Sequence, residues 1–320
     1  MKAQRIAVTG GAGFIGQNLV RTLLARSSST HVTVIDSDLY QTSCLLPRDE
    51  DRLEYLKFSL LDRKETERFF SQNPVDILVN LAARAGVTES ISDPRLNFEA
   101  NVVANFNLLD VARLYGVKLF VFASTGGAII GDGKPPLTED MTPNPLSPYG
   151  VSKLIGELYT KVFELCYSLK SCCLRFSNVY GEYSAHKHNL IPMFIKSAIE
   201  GSIAQIYGDG TQERDFIYVG DLVDGILQVL ERDVSGVIQL ATGKNTSANT
   251  IAELVTQELS GKHEFTWEYR PARPGEVYKT WCDNSKSIRL LGHYPKTTLS
   301  EGLRKTIHWY VEQYKKDGEN

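Results

Sequence analysis

Residues 9–16, Thr9-Gly10-Gly11-Ala12-Gly13-Phe14-Ile15-Gly16, constrain this chain more than any other stretch. The run Ile6-Ala7-Val8 before it reads as a strand, and residues 14–26 after it as a helix. Glycines between a strand and a helix let the backbone turn tightly and approach a pyrophosphate, while the helix N-terminus offers it free N–H groups. Such a loop is weak evidence alone. Here an acidic residue, Asp36, lies twenty positions beyond Gly16, at the end of a second strand, His31-Val32-Thr33-Val34-Ile35. A carboxylate there accepts from both ribose hydroxyls and repels a 2′-phosphate, so the pattern predicts NAD rather than NADP. Gly10, Gly13 and Gly16 with Phe14 and Ile15 are the expected contacts of the loop, and Asp36 that of the ribose.

The rest of the first half continues the alternation. Residues 75–80 read as a third strand, 102–115 as a helix, 118–123 as another strand and 149–169 as a long helix. Apolar strands alternating with helices predict an α/β fold, a Rossmann-like doubly wound parallel sheet covered on both faces. After about residue 175 prolines and glycines punctuate the chain, as at Pro192, Gly208, Gly210, Pro271 and Pro274, and a smaller C-terminal substrate-binding lobe is expected. We expect an NAD-binding domain of residues 1–174 plus about 215–245, and a lobe of residues 175–214 and 246–320. Residues 315–320 read as a frayed tail.

Composition narrows the partners. The chain has 320 residues, with 35 Lys+Arg against 38 Asp+Glu and a formal charge of −3. This excludes the broad basic footprint of a nucleic-acid binder. No run of about 18 apolar residues suggests a membrane span. The N-terminus lacks the pattern of a signal peptide. Five cysteines at irregular spacing, Cys172 and Cys173 adjacent among them, suit reduced thiols and a cytoplasmic protein. His186 and His188 have no partners at metal-ligand spacing, and no metal is expected.

Ser147-Pro148-Tyr149-Gly150-Val151-Ser152-Lys153 carries the chemistry. Ser147 and Pro148 read as a helix cap and a first-turn proline. Tyr149 and Lys153, four apart, share a helix face. A free phenol, with a pKa of about 10, is a poor base at neutral pH. A neighbouring ammonium and a positive nicotinamide ring favour the phenolate. Lys153 can also bond the nicotinamide ribose. Asp62 can bond the adenine amino group, and the small residues of Leu81-Ala82-Ala83 let a cofactor pass.

With these residues in place the chain resembles the extended short-chain dehydrogenases, and among them the nucleotide-sugar epimerases and dehydratases. The resemblance runs through 9–16, Asp36, Asp62, 81–83 and 149–153. It continues through Arg175-Phe176-Ser177-Asn178-Val179-Tyr180-Gly181, Asn189-Leu190-Ile191-Pro192, residues 208–216, Val219-Gly220-Asp221-Leu222 and Arg273-Pro274-Gly275-Glu276. It implies further cofactor contacts at Leu61 and Asn101. It implies that Asn178 bonds a sugar-nucleotide diphosphate and that Arg214 and Arg273 neutralise it, with Asn189, Leu190 and Glu276 also at the substrate. Arg84 and the run Ser184-Ala185-His186-Lys187-His188 become candidates at the sugar C6.

The resemblance also implies a third catalytic member, a hydroxyl that bonds the substrate O4. In Ala123-Ser124-Thr125-Gly126-Gly127-Ala128-Ile129-Ile130-Gly131 the usual place holds Gly126, and Ile130 replaces the usual tyrosine. Thr125 is the expected hydroxyl, with Ser124 the alternative. The family's 4,6-dehydratases carry an Asp-Glu pair after that threonine and its uronate decarboxylases a Glu; Gly126-Gly127 can supply no acid. The implied reaction is 4-epimerisation of a UDP-sugar, hexose or hexuronate. Tyr149 takes the C4 hydroxyl proton as C4 yields hydride to NAD, the 4-keto sugar rotates, and hydride returns to its other face. The alternatives are a dehydratase, decarboxylase or C2-epimerase on a nucleotide sugar, and a non-catalytic dinucleotide-binding regulator. A homodimer through the helices near 99–116 and 149–169 is also implied.

Overall fold

The computed structural model describes residues 4–38, 45–260, 263–272 and 277–318. Its centre is a seven-stranded sheet. In chain order its strands are β1 (Arg5–Thr9), β2 (His31–Asp36), β3 (Leu53–Lys57), β4 (Ile77–Asn80), β5 (Leu119–Thr125) and β6 (Ser171–Phe176), joined by a later strand, Gly236–Leu240. The spatial order runs from that later strand through β6, β5, β4, β1 and β2 to β3. Every pairing is parallel. This is the doubly wound arrangement expected from the alternation of strands and helices. Its strand order reverses between β1 and β4, which opens a crevice at their carboxyl ends.

Both faces are buried because the strands are apolar on both sides. On one face α1 (Phe14–Arg26) places Leu19, Val20 and Leu23 against Ile6, Val8 and Val34. On the other, α2 (Arg63–Gln72) contributes Phe69 and Phe70. Two short helices follow, α3 (Val87–Ser92) and α4 (Pro94–Phe98), and then a π-helical turn at Glu99–Val103. The α5 helix (Ala104–Leu114) adds Leu108 and Leu109 to the second face. A one-turn helix, α6 (Gly126–Ile130), leaves β5, and α7 (Pro148–Tyr167) closes this half with Phe163 on the same core.

The second half builds a separate core. Its strands are β7 (Asn178–Tyr180), β8 (Ala204–Tyr207), β9 (Glu213–Arg214) and β10 (Phe216–Tyr218), and the later sheet strand is β11. Then come β12 (Thr246–Ser247), β13 (Trp267–Arg270) and β14 (Lys279–Thr280). The helices are α8 (Leu190–Glu200), α9 (Val219–Glu231), α10 (Ala248–Leu259), α11 (Ser285–Leu291) and α12 (Leu299–Gly318). Phe194, Ile206, Ile251, Val255, Leu303 and Tyr310 form the heart of this core. The α9 helix packs on the main sheet, through Leu222, Ile226 and Val229.

Several boundaries differ from the sequence reading. The strand expected at 75–80 begins at Ile77, and the helix expected at 102–115 begins as the π turn at Glu99. The edge strand β3 has no counterpart in that reading, because Leu-Glu-Tyr-Leu-Lys lacks the continuous apolar run of its neighbours. Residues 315–318, expected to fray, form the end of α12.

Candidate active site at the carboxyl edge of the sheet

The glycine loop lies at the crevice. Gly10 adopts φ +66°, and a Cβ there would lie 2.8 Å from the Ala82 backbone nitrogen. Only a glycine lets the loop pass this close to the segment after β4. A Cβ on Gly16 would lie 2.4 Å from the Gly10 carbonyl oxygen, so α1 starts hard against the loop. Gly13 is the N-cap of α1, with no side chain satisfying its first N–H groups. Phe14 is buried and Ile15 half-buried beside them. Across the loop, the Ala12 amide donates to Asp36 Oδ2 at 3.2 Å. Burial pushes the Asp36 carboxyl up, while the N–H groups of Asp38 and Ala12 pull it back. A cradle that any side chain would fill, free helix N–H groups and a carboxylate at the end of β2 together fit a dinucleotide.

The segment after β4 is fixed by asparagines. Thr9 Oγ1 donates to Asn80 Oδ1 at 2.7 Å, tying β1 to β4. Asn101 Oδ1 accepts from the Arg84 amide at 2.8 Å, and its Nδ2 donates to the Arg84 carbonyl and to Ser152 Oγ. Asn101 is thus buried and spent on holding the backbone of 81–84, where Leu81 and Ala82 are half-buried and Ala83 and the Arg84 side chain exposed. Leu61 is exposed, and Asp62 caps α2 by accepting from the Glu65 amide at 3.1 Å.

The acid–base residues come from α7 and β5. Ser147 accepts from the Gly150 amide at 3.2 Å and Pro148 opens the helix, so Tyr149 stands in the first turn and Lys153 one turn on. Lys153 is 3% exposed. Its Nζ donates to the Ala123 carbonyl at 2.9 Å and lies 6.0 Å from the centre of the Tyr149 ring. Burial pulls Lys153 down to about 8 and pushes the Tyr149 phenol up to about 12.

The two candidate hydroxyls are unlike. Ser124 is buried and donates to Glu157 Oε1 at 2.6 Å, pointing away from the crevice into a buried ion pair. Thr125 is half-buried at the end of β5, and its hydroxyl caps no helix N–H. A Cβ on Gly126 would lie 2.6 Å from Gln239 Oε1 and 2.8 Å from Cys282 Sγ, so this site admits no acidic side chain without rearrangement. At Gly127 the nearest atom, of Thr280, is 3.9 Å away, so position 127 has room and simply carries no acid. Ile130 is fully buried against Leu137 and Ile129.

Asn178 and Arg214 are joined through one residue. The Asn178 amide and its Nδ2 both donate to the Asp215 carbonyl, at 2.9 and 3.1 Å. The Asp215 carboxylate accepts from the Thr242 amide, Thr242 Oγ1 and the Gly243 amide, which locks the end of β11 to this strand pair. Arg214 Nη1 donates to the carbonyls of Glu213 and Tyr278. Asn189 is exposed at the N-cap of α8 without capping it by its side chain, and Leu190 is half-buried. Arg273 and Glu276 lie outside the described residues. Burial pulls His186 down to about 4. No group of three metal-ligating side chains occurs among the described residues. Glu157 escaped the sequence reading, and Arg175 and Asp215, within the stretches that carry the resemblance, were given no role there. The one local signal was a glutamate one turn beyond Lys153 on the inward face of α7.

The chain is similar to known proteins along almost its whole length. Residues 6–241 match the model of the NAD dependent epimerase/dehydratase family. A putative UDP-glucose 4-epimerase of Methanocaldococcus jannaschii is 34% identical over 95% of this chain and 97% of its own length. The crystal structure of a UDP-glucose 4-epimerase with UDP-glucose, from Thermotoga maritima, superposes with a TM-score of 0.90 at 33% identity, covering 97% of this chain and 99% of that one. A UDP-N-acetylglucosamine 4-epimerase from Methanobrevibacter ruminantium, in complex with UDP-N-acetylmuramic acid, gives 0.90 at 31% identity, covering 98% of this chain and 100% of that one.

Proposed function

Because the chain belongs to the NAD dependent epimerase/dehydratase family, we propose that it is an NAD-dependent 4-epimerase of a UDP-sugar, a hexose or hexuronate, acting through a 4-keto intermediate. One observation carries the choice of reaction. Tyr149 and Lys153 stand one turn apart on α7, Lys153 reaching the Ala123 carbonyl of β5, and β5 ends in a hydroxyl, Thr125, followed by two residues that offer no acid. Elimination of water needs such an acid; exchange of hydride at one carbon does not.

Bound NAD supplies a hydride acceptor that later returns the hydride. The chain's own residues do the rest. Thr125 Oγ1 orients the C4 oxygen, and Tyr149 takes its proton as the carbon–hydrogen bond breaks. The Lys153 ammonium stabilises the phenolate form of Tyr149 that takes this proton. Tyr149 gives the proton back once the sugar has turned over. Asn178, Arg214 and Arg273 hold the diphosphate, which leaves the sugar free to rotate.

Incubation with UDP-glucose, UDP-N-acetylglucosamine and UDP-glucuronate in turn, with products read by NMR, tests the reading. A C4 epimer from one of them supports it; a stable 4-keto-6-deoxy sugar or release of CO2 overturns it. The hydroxyl assignment has its own test. Thr125→Ala is expected to lower kcat about a hundredfold, and Ser124→Ala to leave kcat within about threefold while costing about 1 kcal/mol of stability. Steady-state kinetics and denaturant unfolding of both variants check this.

The protein acts as a homodimer in this reading, and the surface of α5 and α7 supports it. Val151, Leu158, Val162 and Leu165 are exposed along one stripe of α7, with Leu165 at 73%, beside exposed Phe106 and Leu114 of α5. A contiguous apolar stripe on paired helices suits a twofold contact with a second copy. Leu158→Glu is expected to turn a dimer into a monomer in sedimentation velocity. No helix among the described residues is long and apolar enough to cross a membrane. The free thiols of Cys166, Cys172, Cys173 and Cys282 support a cytoplasmic location.

A further inference from the structure

Behind the catalytic pair lies a buried cluster of charge that the reaction itself does not use. Glu157 sits one helical turn beyond Lys153 and is 5% exposed. Its Oε1 accepts from Ser124 Oγ at 2.6 Å and from Arg175 Nε at 2.9 Å, and its Oε2 accepts from Arg175 Nη2 at 2.8 Å. Arg175, on β6, is itself 3% exposed. The guanidinium grips both oxygens of the carboxylate, a two-pronged pairing of opposite charges in the interior. Arg175 Nη1 also reaches towards the Glu139 carbonyl, and Glu139 Oε1 accepts from the Gln239 amide, so β11 and the loop before α7 brace the pair.

We propose that Glu157, anchored by Arg175, is a positioning residue for the catalytic pair: its buried carboxylate keeps the Lys153 ammonium charged beside Tyr149. This rests on the reading of Tyr149 and Lys153 as the acid–base pair. The surroundings of Lys153 make the need plain. From β5 it meets the Phe122 ring, at 4.8 Å, and the Ala123 carbonyl. From α7 it faces the Tyr149 ring, and the Glu157 carboxylate lies one helical turn on, held by Ser124, the residue next to the Ala123 whose carbonyl takes the Lys153 bond. From β6 it faces Cys173, with Arg175 beyond Glu157. Burial holds the Cys173 thiol protonated, so it brings no negative charge near neutrality. Glu157 is therefore the anion that opposes the loss of the Lys153 proton, which burial already draws down to about 8. Without it the ammonium is lost at a lower pH, and the phenolate of Tyr149 loses its counter-charge.

The test is the pH profile of kcat. Glu157→Gln leaves Arg175 buried without its anion and is strongly destabilising. The double variant E157Q/R175M removes both charges and keeps the site filled, so it is the variant expected to fold. In each folded variant the alkaline limb of kcat against pH is expected to move down by about one pH unit, with activity on the acid side retained within tenfold. Glu157→Asp is expected to bring the limb back towards the wild-type position. A merely structural pair would lower the melting temperature and leave the limb in place, and that outcome in folded E157Q/R175M overturns the proposal. The two readings fail separately. Full turnover in Tyr149→Phe removes the acid–base pair itself, whereas an inactive Tyr149→Phe with an unmoved limb removes only the role of Glu157.

Discussion

Tyr149→Phe is expected to lower kcat by at least about a hundredfold, the scale of a lost general acid–base group, while NAD binding stays within about a factor of two. The substitution removes one oxygen and keeps the ring that opens α7, so the Ser147 cap and the Lys153 contact with Ala123 survive. The chemistry does not survive. Burial drives the phenol up to about 12 and the ammonium down to about 8. Burial thus opposes both charges, and the pair reaches its reactive state through mutual attraction. Without the phenol no residue on this face of α7 can take the C4 proton. Steady-state kinetics and NAD titration by calorimetry separate the two effects, and unchanged turnover would remove Tyr149 from the mechanism.

Gly16→Ala is expected to destabilise the fold by about 3 kcal/mol, at the upper end of overpacking costs, and to weaken NAD binding by more than about tenfold. The added methyl would lie 2.4 Å from the Gly10 carbonyl oxygen and 2.5 Å from the Gly11 Cα. Both are backbone atoms of the loop itself, so relief requires the loop to move off the crevice. Gly13→Ala is the control. Its nearest obstacle is the Gly10 carbonyl at 3.2 Å, and a shift of a few tenths of an ångström relieves it. Denaturant unfolding and NAD titration should rank wild type, Gly13→Ala and Gly16→Ala in that order. Equal behaviour of the two variants would show that the loop yields more freely than its packing implies.

What the sequence disclosed and what it hid follow a physical division. The glycine loop, the helix at Phe14–Arg26, the carboxylate that ends β2 and the Ser-Pro entry to α7 are local, and each was legible. Local chemistry decides them: a turn that only glycine makes, a cap, a period. The β3 strand was not legible, because an edge strand with charged alternate residues is defined by pairing with β2 and little else. Nor was the choice between Ser124 and Thr125. Both are hydroxyls at adjacent positions, and alternation along β5 sends one to Glu157 and leaves the other at the crevice. Glu157 and Arg175 lie eighteen residues apart, on α7 and β6, and only folding makes them an ion pair. Asn101 shows the same limit: the resemblance assigns it to the cofactor, and the structure spends its amide on Arg84 and Ser152.

The path of the chain between the sheet and the second core has an evolutionary consequence. β6 ends at Phe176 and the chain leaves the sheet, returns to it as β11 at Gly236–Leu240, and departs again to lay β13 beside β8. No stretch therefore encodes the second core alone, and a recombination event with one breakpoint after β6 imports α9 and β11 along with it. Such an event sets an incoming β11 and α9 against a resident β6 and sheet to which they were not fitted. Lineages built on this plan are thus better placed to acquire new sugar preferences through scattered substitutions than through the shuffling of segments.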